Sequence, residues 1–196
     1  MAMDLLLLRH GETDWTISGR HTGRTDIPLT AAGEQEARDA GVLLEQILDG
    51  RAIDAVFVSP LRRARQTAAI VLPAVTPLEE PLIAEFDYGD YEGLTSAEIH
   101  ARRPGWSIFT DGCPGGEHPT DAAARAERFL TERLSGNGLA LAVTHGHMSR
   151  FLALAALGLP LRDGRHLGTS TASISLITRS GAEPTLDLWN AALHAT

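Results

Sequence analysis

Short, wholly apolar runs alternate along this chain with longer stretches in which apolar residues recur every three or four positions. Leu5-Leu6-Leu7-Leu8 is unbroken hydrocarbon that ends abruptly on Arg9-His10-Gly11. A run of that length, bounded by polar residues, predicts a strand buried on both faces of a parallel sheet. The pattern places strands at Asp4–Leu8, Asp54–Val58, Leu139–Thr144, Ala172–Thr178 and Thr185–Leu188. Helices are predicted between them. Thr30 opens the first, with Ala37, Ala40, Leu44 and Ile47-Leu48 at helical spacing. Leu61–Leu72 follows the second strand and stops at Pro73. Thr95 and Glu98 form a capping-box pair for a short helix that ends near Pro104. Thr120 is expected to cap Asp121–Leu134, closed by Gly136, and Met148–Leu157 follows the strand at Leu139–Thr144. Strands alternating with helices predict an α/β fold: a three-layer, doubly wound, mostly parallel sheet with helices on both faces. The closeness of the last two strands predicts an antiparallel edge. No repeat or low-complexity linker divides the 196 residues, so one domain over 1–196 is expected. Residues 79–119, richer in Gly, Pro and aromatics, read as a lid-like excursion over a site.

Composition narrows the classes of partner. The net charge of -8 means that the surface as a whole repels nucleic acid and anionic membranes. All 17 basic residues are arginines, which excludes any role needing a lysine, such as a Schiff base or a Walker-type phosphate loop. The one cysteine, Cys113, forms no internal disulfide and suits a reducing compartment. The first residues lack a basic segment followed by a long apolar one, so no signal peptide and a cytoplasmic location are expected. The longest apolar run, Phe151–Leu161, is broken by Gly158 and Pro160 and is too short to span a bilayer.

Candidate chemistry collects where the strands end, which is where open parallel sheets bind ligands. Arg9 offers a permanently charged planar fork suited to phosphate oxygens, and His10 is a nucleophile when neutral. Gly11 is expected to let the backbone turn and approach a ligand closely. Alone, the pair would read as a surface Arg-His step. Ser59-Pro60-Leu61-Arg62-Arg63-Ala64-Arg65-Gln66-Thr67 opens the helix after the second strand. Three arginines there oppose the usual preference of a helix N-terminus for acidic residues, and a nearby anion would explain them. Arg62 and Arg65 are expected to face solvent, and Arg63 to face inward. Val143-Thr144-His145-Gly146-His147 ends another strand, and Gly146 marks the point where the strand stops. A zinc site built on its H-x-H step competes with this reading, but Arg9 and Arg63 would make the surroundings hostile to a cation. Glu85-Phe86-Asp87-Tyr88-Gly89-Asp90-Tyr91-Glu92-Gly93 would ordinarily be a solvated loop. Its interleaved aromatics suggest a half-buried wall, where a carboxylate acquires a raised pKa and works as a general acid.

Arg9-His10-Gly11-Glu12-Thr13 resembles the signature of the histidine phosphatase superfamily, in its phosphoglycerate-mutase-like branch, and the similarity covers nearly the whole chain. Thr22-Gly23 resembles that family's phosphate-contacting loop. Asp26-Ile27-Pro28-Leu29-Thr30-Ala31-Ala32-Gly33 is similar to the lead into its first helix. Ser59, Leu61, Arg63-Ala64 and Thr67 match its S-x-L-x-R-A-x-x-T pattern, Glu85 its general acid, and His145-Gly146 its second histidine. The loops Asp87–Gly93 and Asp111–Glu117 look like the phosphatase form, as in small bacterial acid phosphatases and the fungal sedoheptulose-bisphosphatase group. The mutases' longer lid and its lysine are missing. His118 departs from the family, which often has Ser there. The resemblance implies a phosphatase that hydrolyses small phosphate monoesters, sugar phosphates among them, through a phosphohistidine, with no cofactor or metal. In that reading His10 is the nucleophile and Glu85 the general acid. Arg9, Arg63 and a protonated His145 hold the phosphoryl oxygens, and Thr22 and Gly23 add minor contacts. Glu12 would steady the site from behind or lie on the surface. Glu85 must be protonated while His10 is neutral, so an acid optimum is expected. The partner implied is a small phosphorylated metabolite, with no nucleic acid or membrane, acted on by a monomer or homodimer. A mutase-type isomerase and an inactive module that only binds phosphorylated ligands are the competing functions.

Overall fold

The computed structural model describes residues 2–179 and 182–193. Strand β1 is Asp4–Arg9, β2 is Ala55–Val58, β4 is Leu139–Thr144, β5 is Ile174–Thr178 and β6 is Thr185–Ala191; β3, a two-residue edge strand at Leu78–Glu79, has too little sequence to show a period. They form one six-stranded sheet in the order β3-β2-β4-β1-β5-β6. The first four in that order run parallel, while β5 lies antiparallel to β1 and β6 antiparallel to β5. The leucine run of β1 serves both faces, as its unbroken apolarity requires. Leu5 and Leu7 enter one core and Leu6 and Leu8 the other.

Helix α2 (Ala31–Leu48) and α3 (Arg62–Val71) cover the Leu6 face through Ala37, Ala40, Leu44, Ala64 and Ala68. Helices α5 (Pro119–Glu132) and α6 (Gly146–Leu157) cover the other through Ala126, Phe129, Phe151 and Leu152. Small residues on α2 and α3 let these helices lie close to the sheet. Segment 79–119 is packed into the Leu5 face. It contains two single 3₁₀ turns, Pro81–Ile83 and Gly89–Tyr91, and helix α4 (Ser96–Arg102), with the expected Thr95–Glu98 capping box. Ile83, Phe86, Tyr88, Tyr91, Ile99, Trp106 and Phe109 from this segment are all core residues.

Local details depart from the sequence reading in three places. A short helix α1 (Asp14–Ile17), capped by Thr13, follows the strand end. Helix α5 is capped by His118 instead of Thr120: the His118 ring accepts from Thr120 N–H, and the Asp121 carboxylate accepts from His118 N–H. Pro119 at the first helical position favours that earlier start. Gly11 does not open space for a ligand. A Cβ there would collide with the Gly33 carbonyl, and one on Gly33 with the Glu12 carbonyl. The two glycines let the turn after β1 meet the first turn of α2, backbone to backbone. Glu12 secures the same junction, with Oε1 accepting from Thr30 Oγ1 at 2.7 Å.

Candidate active site

Strands β2, β4 and β1 are neighbours and parallel, so their carboxyl ends deliver Ser59, His145 and Arg9-His10 to one edge. His10 is buried, and its Nδ1 lies 2.7 Å from the Gly11 carbonyl. A carbonyl can only accept, so Nδ1 carries the proton and Nε2 the lone pair. Burial pushes the His10 pKa well below 6.5, and the cations Arg63 and Arg9 push it further, against a small opposing effect of the Gly11 bond. Burial is the larger cause.

The His145 ring stands 5.1 Å from that of His10, edge to face. Its Nε2 bonds Ser59 Oγ at 2.7 Å, while its Nδ1 is buried without a partner. Burial, then Arg63, hold its pKa well below 6.5. The expected protonated His145 is therefore neutral in the free site, because among the described residues no carboxylate offsets its desolvation.

Arg9 donates from Nη1 to the Thr169 carbonyl at 2.6 Å, and its Nε is buried without a partner. Gly146 makes room for it: a Cβ there would lie 3.3 Å from Arg9 Cζ. Arg63 faces inward, as expected, while Arg62 and Arg65 are exposed. Its Nη groups go to the loop at 22–25, where Nη2 bonds the Thr22 and Gly23 carbonyls at 2.9 and 3.1 Å and Nη1 the Thr25 carbonyl at 3.1 Å, while its Nε is buried without a partner. Arg63 thus shapes that loop and supplies charge from behind it. The anion expected at the start of α3 is Asp26, whose Oδ1 accepts from Arg62 N–H at 2.6 Å. Thr22 lines the cavity beside His10. Gly23 does not, and its N–H is taken by both Glu92 oxygens at 2.9 Å.

Glu85 sits at the N-terminus of α6. Its oxygens accept from the N–H groups of Phe86 at 3.0 Å, Met148 at 3.0 Å and His147 at 3.2 Å. Free N–H groups and a partial positive charge there suit a carboxylate. Arg125 holds the chain on which Glu85 rides. Its Nη1 bonds the Leu82 and Ala84 carbonyls at 2.6 and 3.1 Å, and its Nε and Nη2 grip the Glu117 carboxylate at 2.7 and 2.9 Å.

Arg9, His10, Thr22 and Glu85 line one cavity of about 170 Å³. Arg63 and His145 stand behind its wall. The sequence reading did not assign Arg20, His21, Arg150 and Thr169, which also line it. Arg150 had a signal of the same sort as Arg63, a cation in the early turns of a helix that leaves a strand end. His147 is turned to Tyr88, whose hydroxyl lies 2.6 Å from its Nδ1, so the two histidines of the H-x-H step serve different partners. Among the described residues no group of three or more His, Cys, Asp or Glu is placed to hold a metal ion. Cys113 is buried, and its thiol pKa is pushed up to about 12, which keeps it unreactive.

Residues 5–192 match the model of the histidine phosphatase superfamily (branch 1). An acid phosphatase of Mycobacterium tuberculosis is 42% identical over 176 residues, 88% of this chain and 84% of its own. A 2,3-bisphosphoglycerate-dependent phosphoglycerate mutase of Methylobacterium radiotolerans is 33% identical over 200 residues, 93% of this chain and 92% of its own. The solved structure of a functionally characterised open reading frame of Mycobacterium tuberculosis superposes with a TM-score of 0.89 at 37% identity, covering 97% of this chain and 98% of that one. No helix among the described residues is long and apolar enough to cross a membrane.

Proposed function

The chain belongs to the histidine phosphatase superfamily, branch 1, and on that premise we propose that it hydrolyses small phosphate monoesters through a phosphohistidine on His10, without a metal ion. The observation that carries this reading is the state of His10: one tautomer, neutral, with the Nε2 lone pair unclaimed at the cavity that Arg9 and Glu85 share. Nε2 attacks phosphorus, the ester P–O bond breaks, and Glu85 gives its proton to the leaving alkoxide. Water then attacks phosphorus, the P–N bond breaks, and Glu85 takes the water's proton. Arg9 and the Arg63 charge stabilise the phosphoryl oxygens, the role metal ions fill in other phosphatases. With the Ser59 hydroxyl accepting from Leu61 N–H and donating to His145 Nε2, the neutral ring carries its proton on the unpartnered Nδ1, a further donor for one of those oxygens. Thr22 Oγ1 adds a contact, whereas Gly23 must first release Glu92 to do so.

The test is rapid quench of p-nitrophenyl phosphate turnover in the presence of EDTA. It should show a burst of nitrophenol and a phosphoryl group on the peptide containing His10, both lost in His10→Ala. Full turnover by His10→Ala, or loss of wild-type activity on chelation, would overturn the proposal. The mutase of Methylobacterium radiotolerans keeps isomerisation as the second reading. Conversion of 3-phosphoglycerate to 2-phosphoglycerate, stimulated by 2,3-bisphosphoglycerate and faster than hydrolysis, would favour it. An acid optimum follows from the proposal, because Glu85 must enter protonated and the lowered His10 pKa keeps the nucleophile neutral there.

A further inference from the structure

Strand β6 presents two neighbouring side chains to one loop, which a regular strand does not do, because successive residues point to opposite faces. Ile174 of β5 stands opposite Ala191, and Leu176 opposite Leu188, so two steps along β5 match three along β6. The extra residue makes a bulge at Trp189 and Asn190. Asn190 takes a left-handed φ of 58°, a conformation that asparagine tolerates better than most residues with a β-carbon. Its backbone N–H donates to Ser175 Oγ at 3.0 Å. Both side chains reach the segment just before β5. Trp189 Nε1 donates to the Gly168 carbonyl at 2.6 Å. Asn190 grips Ser170 twice: its Oδ1 accepts from Ser170 N–H, and its Nδ2 donates to Ser170 Oγ at 3.3 Å.

Thr169 lies between the two residues so held. Its carbonyl accepts from Arg9 Nη1 at 2.6 Å, and it lines the cavity beside His10. Residues 167–173 form neither helix nor strand, so no ladder sets the direction of that carbonyl. The downstream end of the segment is tied to β1, with Ala172 N–H on the His10 carbonyl and Arg9 N–H on the Ser173 carbonyl, both at 3.0 Å. Those bonds fix the backbone of Arg9 and not its guanidinium, which rides on a chain of rotatable bonds. A group of that kind is placed only as well as the acceptor that holds it. For Arg9 the acceptor is the Thr169 carbonyl, and β6 is what holds the residues on either side of it.

We propose that Asn190 is a positioning residue for the reaction: by holding Ser170 it sets the Thr169 carbonyl, and so aims the Arg9 guanidinium at the phosphoryl group. The proposal rests on the phosphatase reading above and adds a residue to its machinery. Asn190 does not line the cavity. It acts through Ser170, Thr169 and Arg9, from the edge strand β6 to the end of β1. Because it meets no part of the alcohol, its effect is the same for every phosphate ester.

The test is a double-mutant cycle between Asn190 and Arg9, read by turnover of p-nitrophenyl phosphate and by calorimetric binding of inorganic phosphate. Asn190→Gly keeps the left-handed backbone and removes only the side chain. It should lower kcat by about 10- to 100-fold, the scale of a group misplaced by about 1 Å, and weaken phosphate binding. In an Arg9→Ala background the same substitution should change either quantity by less than about twofold, because the group it aims is gone. Asn190→Asp keeps an acceptor for Ser170 N–H and suits the left-handed backbone, so it should restore part of the loss. Asp187→Ala removes bonds to Thr178 and Thr185 at the other end of β6 and should leave both quantities unchanged. An Asn190→Gly variant as active as wild type would overturn the proposal, as would its full loss repeated in the Arg9→Ala background. If Asn190→Gly does not fold, Ser170→Ala removes the Nδ2 contact from the loop side and serves in the same cycle, with the same two outcomes. Wild-type protein that turns over no phosphate ester would remove the phosphatase reading, and the phosphate-binding arm of the cycle would still decide the positioning role.

Discussion

His10 becomes a usable nucleophile through one bond and its burial. The Gly11 carbonyl fixes the proton on Nδ1, and desolvation beside two cations keeps a second proton off. Arg9 is the cation with most to contribute directly, since it lines the cavity, whereas Arg63 does not and has both Nη groups on loop carbonyls; each leaves its Nε without a partner. Arg9→Ala should therefore raise the barrier by about 2.7–4 kcal/mol, roughly 10²–10³ in kcat, as when one preorganised donor is deleted elsewhere. Steady-state rates on p-nitrophenyl phosphate check this, and a loss under tenfold would show that Arg63 carries the charge alone. Residue by residue, the gathering of Arg9, His10 and His145 at the strand ends was legible in sequence, but the different partners of the two arginines were not. Both read as phosphate forks, and only the positions of the Thr22, Gly23 and Thr25 carbonyls show that the Nη groups of Arg63 are both taken.

Elements place these residues by their ends. The strand end of β4 passes directly into α6 at Gly146, so the free N–H groups of that helix meet Glu85 on a segment far away in the chain. The bidentate Arg125–Glu117 pair joins α5 to the two sides of Glu85, since Glu117 N–H also donates to the Asp87 carbonyl and Glu117 Oε2 accepts from Asp87 N–H. If this pair positions the general acid, Arg125→Met should slow esters with poor leaving groups more than those with good ones. Glycerol 3-phosphate needs a proton on its departing oxygen, whereas p-nitrophenolate leaves without one. A drop of about tenfold or more in kcat on the former, against a small change on the latter, is expected by analogy with losing part of a general-acid contribution. Uniform loss on both esters, or a melting temperature too low for folded protein at the assay temperature, would assign the pair to stability alone. Arg125→Lys, which keeps the charge, should recover part of the difference.

At the scale of the whole molecule, the site is bought with buried histidine. Desolvation drives His10, His145 and His147 well below 6.5 and His21 to about 4. The unfolded chain takes up protons on these residues below about 6.5 while the folded one refuses them, so their stability is complete above that pH and drains as pH falls. Melting temperature should be highest near neutrality and decline steadily from pH 6.5 towards pH 4; differential scanning calorimetry across that range checks it, and a flat or rising profile would contradict the assignment. The acid limb of activity and the acid limb of stability then converge, and equilibrium unfolding at the same pH separates them. The sequence by itself determined the layered α/β architecture, the strand that carries Arg9-His10, the caps Thr30 and Thr95 and the family. Those features depend on local periods and on neighbours a few residues apart. Tertiary structure alone decided which groups satisfy which: Arg63 on the Thr22–Thr25 loop, Gly23 on Glu92, Gly11 against Gly33, Glu85 on the start of α6, and Arg150 beside Thr169 at the cavity. Those partnerships form only when the sheet brings distant strand ends together, and a hydrogen bond between residues 40 to 70 positions apart leaves no period in the chain.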